Sequence, residues 1–311
     1  MRFPEVTIVG AGQVGASAAY MLLAKGLANV TMIDVAEGLP QGKALDMMHA
    51  RSIEHFGPRI KGTNDYAMTA GSDLVVITAG LPRKPGMTRD DLLAANSSIV
   101  RSVVEQVVAA SPDALIMVVT NPLDVMVYLA WQVSGLDSSR VFGMGGVLDS
   151  ARFEHAIADH LGVEVASVKA LACGSHGDAM VPLPSQASVD GVPLAQMLSA
   201  DGVDRIVQRT VFGGAEVVGL LKTGSAFYAP AASIARTVEA IFSDTPVVLP
   251  SCVRLSGQYG VSDVYMSVPA VIDREGVKEI IELDVTADEA RALKASADTI
   301  VETLVSLGLR E

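Results

Sequence analysis

Residues that could move a proton are few in this chain, and one of them stands apart. His176 sits in Gly174-Ser175-His176-Gly177-Asp178, where small neighbours leave its ring open to a ligand, whereas His49, His55, His155 and His160 lie in segments with no special surroundings. Histidine is the side chain suited to exchanging a proton near neutral pH, and a carboxylate on its other ring nitrogen fixes the tautomer and favours the charged form. Asp178 is near in sequence, and Asp149, in Val147-Leu148-Asp149-Ser150-Ala151-Arg152, is the other candidate. Asp149 and Arg152 are three apart, so on a helix they share a face and can offer an acid to the histidine and a guanidinium to an anion. The plainer alternative is a surface ion pair and, separately, a histidine in a turn.

A second concentration of cations lies at residues 80–91, where Arg83, Lys84 and Arg89 occur in a stretch with Pro82, Pro85, Gly80 and Gly86. Such a segment cannot enter a helix or a central strand, but it can swing as a flap that excludes water. An arginine there could hold a carboxylate through two parallel hydrogen bonds. A solvated loop with surface arginines is the competing reading.

The third candidate is a phosphate cradle. Val6-Thr7-Ile8-Val9 runs into Gly10-Ala11-Gly12-Gln13-Val14-Gly15, a helix-spaced segment follows with Ala18, Met21 and Leu22, and Asp34 comes nineteen residues after Gly15, behind Val30-Thr31-Met32-Ile33. Strand, glycine spacing, helix and acid together describe a dinucleotide site. Gly10 makes the turn, Gly12 admits the pyrophosphate, Gly15 lets helix and strand approach, and Asp34 accepts from the adenosine ribose. A carboxylate repels a 2′-phosphate and Val35-Ala36-Glu37 supplies no arginine, so the cofactor predicted is NAD rather than NADP.

Elements must exist to hold these groups. A chain of 311 residues, half of them apolar, exceeds one ordinary core. No apolar run is long enough to cross a bilayer, and a first strand at about residue 5 leaves no room for a targeting peptide, so a soluble, cytoplasmic protein is expected. Cys173 and Cys252 have neither metal-type nor CxxC spacing and are expected to pack as small hydrophobes; no metal site is expected. A net charge of −12 argues against nucleic acid or an anionic membrane as partner.

Along the first half, helix-like and strand-like segments alternate. Helices are predicted over 38–50, 90–110 and 123–133, and strands over 59–62, 74–78, 114–119 and near Val141. The uninterrupted apolar runs at 74–77 and 114–119 suit strands buried on both faces of a parallel sheet. Alternation with short connectors predicts an α/β fold: an N-terminal doubly wound parallel sheet over 1–145, followed by an α+β substrate domain over 146–311. Gly10-Ala11-Gly12, Thr78-Ala79-Gly80 and Thr120-Asn121-Pro122 end three strands and should line one crevice. Beyond residue 146 the pattern is less regular. It offers a helix over 149–160, a hairpin around Asp190-Gly191, mostly helical spacing over 194–221, and a last amphipathic helix behind a Thr286/Glu289 capping box.

These motifs, Gly10 to Gly15, Pro82 to Arg89, Thr120-Asn121-Pro122-Leu123-Asp124, Val147 to Arg152 and Gly174 to Asp178, occur in the order in which the lactate/malate dehydrogenase family carries them. The chain resembles that family over essentially its whole length, including Leu221-Lys222-Thr223-Gly224-Ser225-Ala226, and is most similar to its lactate dehydrogenase-like bacterial malate dehydrogenases. The resemblance implies a Rossmann NAD domain and a catalytic domain. His176 would be the acid/base and Asp149 its partner, with Arg152 on the substrate's C1 carboxylate, Arg89 polarising the carbonyl, and Asn121 touching both substrate and cofactor. Asn96, Val119 and Thr120 would join the glycine-loop residues Gly10 to Gly15 and Asp34 in holding NAD.

Arg83 stands where malate dehydrogenases have arginine and lactate dehydrogenases typically glutamine. This fits a substrate whose second carboxylate needs a countercharge in a closed site. The expected reaction is therefore reversible oxidation of (S)-malate, with pyruvate reduction as the rival and a non-catalytic NAD-binding protein as a further alternative. A homotetramer is expected, or a dimer. Two departures are visible: Ser175 replaces a frequent glycine, and Gly145-Gly146 stands where an alanine is common.

Overall fold

The computed structural model describes residues 2–81 and 88–310, and of Arg89 only the backbone. The first half follows the predicted alternation: β1 (Glu5–Val9), α1 (Gln13–Ala24), β2 (Asn29–Ile33), α2 (Leu39–Glu54), β3 (Ile60–Thr63), β4 (Leu74–Ile77), α3 (Arg89–Ala110), β5 (Leu115–Val118), α4 (Leu123–Ser134) and β6 (Val141–Gly143). These strands lie in the order β3-β2-β1-β4-β5-β6, all parallel. Order reverses between β1 and β4, so the crevice for a ligand opens beyond their carboxyl ends. All four residues of β4 and of β5 are buried, as unbroken apolar runs require. Helix α2 runs to Glu54, four residues past the predicted end, and His55 closes it in the left-handed conformation with its N–H on the Arg51 carbonyl.

The second half contains α5 (Gly146–Leu161), β7 (Val168–Lys169), β8 (Ala172–Gly174), β9 (Met180–Pro182), β10 (Ser188–Val189), β11 (Val192–Pro193), α6 (Leu194–Met197), α7 (Ala200–Leu221), α8 (Tyr228–Ile241), β12 (Val248–Ser256), β13 (Ser262–Asp273), β14 (Gly276–Ile280) and α9 (Ala287–Ser306). The predicted hairpin is β10-β11, and Asp190 (φ 49°) with Gly191 (φ 80°) makes the two-residue turn, both residues having the positive φ such turns need. Helix α9 carries the expected capping box between Thr286 and Glu289.

The parallel sheet does not stop at β6. Strand β12 joins it antiparallel, with Cys252 opposite Gly143, and β13, β8 and β9 continue it, β14 pairing with β13. The pair β12-β13 is the longest ladder among the described residues, yet the sequence reading did not mark it. Pro250 and Pro269, which argue against strand, face one another across it. The main core accordingly draws on both halves, from Ile8 and Ile116 to Val253, Met266 and Leu293, while Phe153, Ile157, Leu194 and Ile206 form a smaller core between α5 and α7. Among the described residues no helix is long and apolar enough to cross a membrane.

Glycine fixes how closely α2 approaches the sheet edge: a Cβ at Gly62 on β3 would stand 2.1 Å from the Pro40 carbonyl oxygen. Backbone rather than a flexible side chain is in the way. Gly62→Ala is expected to lower unfolding free energy by about 1–3 kcal/mol, read by urea denaturation against the unchanged chain.

Candidate functional site

The glycine loop has the shape the sequence implied. Gly10 has φ 106°, and a Cβ there would meet Thr78 Oγ1 at 2.7 Å, while a Cβ at Gly15 would lie 2.0 Å from the Gly10 carbonyl oxygen. A Cβ at Gly12, by contrast, would meet nothing within 4 Å, so the open side of the turn is the side a pyrophosphate can approach. Asp34, at the end of β2, accepts from the Ala11 N–H at 2.7 Å and the Ala36 N–H at 2.9 Å. Lys43 on α2, which the sequence reading did not single out, donates to the Ala11 carbonyl at 2.7 Å. Gln13 and Val14 open α1 at the loop. These residues fit a dinucleotide with an unphosphorylated ribose.

At the neighbouring strand ends the polar side chains are taken up by the protein itself. Asn96 is buried; its Nδ2 donates to the carbonyls of Asn121 (2.8 Å) and Leu81 (3.3 Å), and its Oδ1 accepts from the Leu81 N–H at 2.8 Å. Thr120 Oγ1 donates to the Ala79 carbonyl at 2.7 Å. The Asn96 amide thus joins the ends of β4 and β5. Val119 is half-buried between them, and Asn121 is exposed, its bond to Pro122 cis.

His176 meets Asp149. Its Nδ1 lies 2.8 Å from Asp149 Oδ2, and Arg152 Nη1 lies 3.1 Å from Oδ1 of the same carboxylate. Asp149 is in the first turn of α5, where the helix dipole favours a negative charge, and is almost wholly buried. Nδ1–H donation to Asp149 leaves Nε2 for a ligand. Arg152 lies along α7, where a Cβ at Gly214 would come within 3.4 Å of its guanidinium.

Burial is the strongest single influence on the His176 ring and pulls its pKa down. The charge and hydrogen bond of Asp149, joined by the charge of Asp124, outweigh it, and the pKa lies above the ordinary 6.5. Gly145 packs under the ring: a Cβ there would stand 3.2 Å from His176 Cβ and 2.5 Å from Leu123 Cδ2.

Sequence reasoning quoted Asp124 within a motif but gave it no part. The structure places its carboxylate directly behind the histidine turn. Oδ2 accepts from Ser175 Oγ at 2.7 Å and from the His176 N–H at 2.9 Å, and Cys252 Sγ donates to Oδ1 at 3.4 Å. Cys252 is thus not simply a small hydrophobe, although both cysteines are buried and free as expected. A carboxylate inside the apolar run Leu123, Val125, Met126, Val127 was the signal available. Arg83 lies outside the described residues, and so does the side chain of Arg89, whose backbone begins α3.

Two family models match, the lactate/malate dehydrogenase NAD-binding domain over residues 4–143 and the lactate/malate dehydrogenase α/β C-terminal domain over 146–306. The chain belongs to the lactate/malate dehydrogenase family. Among relatives in this family, the malate dehydrogenase of Rhodopirellula baltica is 51% identical over 308 residues, 98% of each chain. The crystal structure of Cryptosporidium parvum malate dehydrogenase superposes with a TM-score of 0.95 at 42% identity, covering 99% of both chains. A lactate dehydrogenase from the same organism, complexed with lactic acid and NAD, gives 0.93 at 42% identity, covering 98% of both. The backbone is common to both activities in the family, so the choice between substrates lies in side chains.

Because the His176 pKa is raised in the folded state, its protonation stabilises the fold below the unfolded value of 6.5, and that contribution is lost as pH rises through the higher folded value. Urea denaturation of the unchanged chain and of His176→Gln across pH 5.5 to 9 should show a stability difference largest at acid pH and shrinking above 6.5. A difference that grows with pH would contradict this electrostatic reading.

Proposed function

We propose that the chain catalyses reversible NAD-dependent oxidation of (S)-malate to oxaloacetate. The observation that carries the proposal is the shared Asp149 carboxylate, which holds the ring of His176 and the guanidinium of Arg152 side by side in a chain of this family. Relatives named malate dehydrogenase at 50–51% identity support the substrate. The division into a cofactor domain over 1–145 and a catalytic domain over 146–311 belongs to the same reading, as do a homotetramer or homodimer and a cytoplasmic location. Sedimentation tests the assembly.

Gly10 to Gly15 would hold the pyrophosphate of NAD and Asp34 the ribose, with Val119 to Asn121 on the nicotinamide side. The cofactor, when bound, supplies the hydride acceptor at its nicotinamide C4. Everything else falls to the protein. Arg152 pairs with the C1 carboxylate and fixes the face that the C2 hydrogen presents. Neutral His176 takes the C2 hydroxyl proton at Nε2, and Asp149 stabilises the imidazolium that forms. In reduction, the protonated ring returns the proton to the carbonyl oxygen, and Arg89 stabilises charge developing there. Because the His176 pKa is raised, the efficiency of reduction should fall at a higher pH than it would for a histidine with the ordinary value of 6.5.

Arg83 neutralises the distal carboxylate. Structural likeness to a lactate dehydrogenase keeps pyruvate reduction as the reading to be tested against this one. Steady-state oxidation of NADH with oxaloacetate and with pyruvate is expected to favour oxaloacetate, and Arg83→Gln to reduce that preference by at least two orders of magnitude, as about 3 kcal/mol for an unpaired buried charge implies. Equal or better efficiency on pyruvate in the unchanged chain would reject the proposal. Arg89→Ala should lower turnover about 10²- to 10³-fold, equivalent to the ~3–4 kcal/mol one such donor supplies. Turnover without loss would remove Arg89 from the mechanism.

A further inference from the structure

The carboxylate of Asp124 is unusual in its setting. It lies in the first turn of α4, 3% exposed, amid the largest core of the molecule. The groups that touch it are donors: the Ser175 hydroxyl at 2.7 Å, the His176 backbone N–H at 2.9 Å and the Cys252 thiol at 3.4 Å. A backbone N–H can only donate, so the arrangement suits a carboxylate that accepts, held at the positive end of a helix. No arginine or lysine pairs with it among the described residues.

We propose that Asp124 is a positioning residue for His176, tying the turn that carries the histidine to the strand-end segment that carries Asn121 and adding a second negative charge behind the ring. This rests on the assignment of His176 as the proton-exchanging group. Residues 121–124 are continuous. Asn121 faces the crevice and is held from behind by Asn96; three residues on, Asp124 grips the backbone of His176, which comes from the other half of the chain. One short segment therefore sets the distance between the group beside the cofactor and the group that moves the proton. On the far side of the turn, Ser296 of α9 accepts from the Ser175 N–H at 2.8 Å and donates to the Ala179 carbonyl at 2.7 Å, so the turn is clamped from two elements.

Charge works in the same direction as geometry. The charged groups acting on His176 are Asp149 and Arg152 from α5 and Asp124 from α4, and Cys252 of β12 touches Asp124. Burial raises the pKa of the Cys252 thiol far above its usual 9.0, with the charge of Asp124 adding to that, so it remains a neutral donor. The two aspartates thus flank the ring from two sides, Asp149 by direct contact and Asp124 through the peptide. Burial raises the pKa of Asp124 itself above the ordinary 3.8, opposed by its bonds to Ser175, His176 and Cys252 and by the charge of His176; in its ionised form it makes the imidazole more basic.

The test uses the full chain with Asp124→Asn, which keeps volume and removes charge, and Asp124→Ser, which removes charge and shortens the side chain. For oxaloacetate reduction at saturating NADH, kcat is expected to fall about 10- to 100-fold, with the dissociation constant for NADH unchanged. The alkaline limb of kcat/KM should move toward lower pH by about half a unit to one unit in both variants. A merely structural role would lower the melting temperature and leave that limb in place, which would overturn the proposal. Failure of both variants to fold would also overturn it, by making Asp124 a determinant of the fold rather than of the histidine. His176→Gln in the same assay separates the two readings. Retained activity there removes the underlying assignment, whereas an inactive His176→Gln beside an unmoved limb in the Asp124 variants removes only the present one.

Discussion

One buried carboxylate, that of Asp149, holds an imidazole and a guanidinium at once. Its oxygens divide between His176 Nδ1 and Arg152 Nη1, at 2.8 and 3.1 Å. Such an arrangement is stable only when both partners stay in place, because a buried charge that loses its partners is costly. The surrounding fold is arranged around that requirement. Helix α5 supplies Asp149 and Arg152 one turn apart, β8 delivers the Gly174-Ser175-His176 turn, and β12 packs beneath through Cys252. The proton-exchanging ring and the anion-binding guanidinium are therefore positioned by the same group, so neither can move without the other.

The cofactor end of the crevice obeys a different constraint, close approach of backbone to backbone. Gly10 and Gly15 admit no side chain because Thr78, Ala79 and the Gly10 carbonyl occupy the space. Asp34 and Lys43 hold the Ala11 peptide from its two ends, the first accepting from its N–H and the second donating to its carbonyl. The loop is thus shaped for an anion by its own peptide groups.

Much of this was legible in the chain because it depends on local spacing. The glycine loop, the alternating first half, the Asp190-Gly191 turn and the Thr286/Glu289 cap each follow from residues within a few positions of one another. Local spacing left Asp149 and Asp178 both open as the partner of His176; the family resemblance implied Asp149, and the packing of α5 against β8 brings that carboxylate to the ring. The pairing of the Asn96 amide with Leu81 and Asn121 is long-range and has no local signature. Strands β12 and β13 escaped notice because Pro250 and Pro269 speak against strand locally, and the pairing that overrides them is tertiary. Asp124 was visible as a charge in an apolar run, but its donors come from fifty and more residues away.

The ladder that carries on from β6 into β12 has a bearing on how the chain can be cut. A fragment ending near residue 144 would leave β6 as a bare, flat sheet margin with unpaired amides and carbonyls, and would strip Val253, Met266 and Leu293 from the apolar interior. Exposed margins of that kind recruit other chains. The first half, though it reads as a unit in the sequence, therefore depends on the half that follows for its sheet edge and for part of its core.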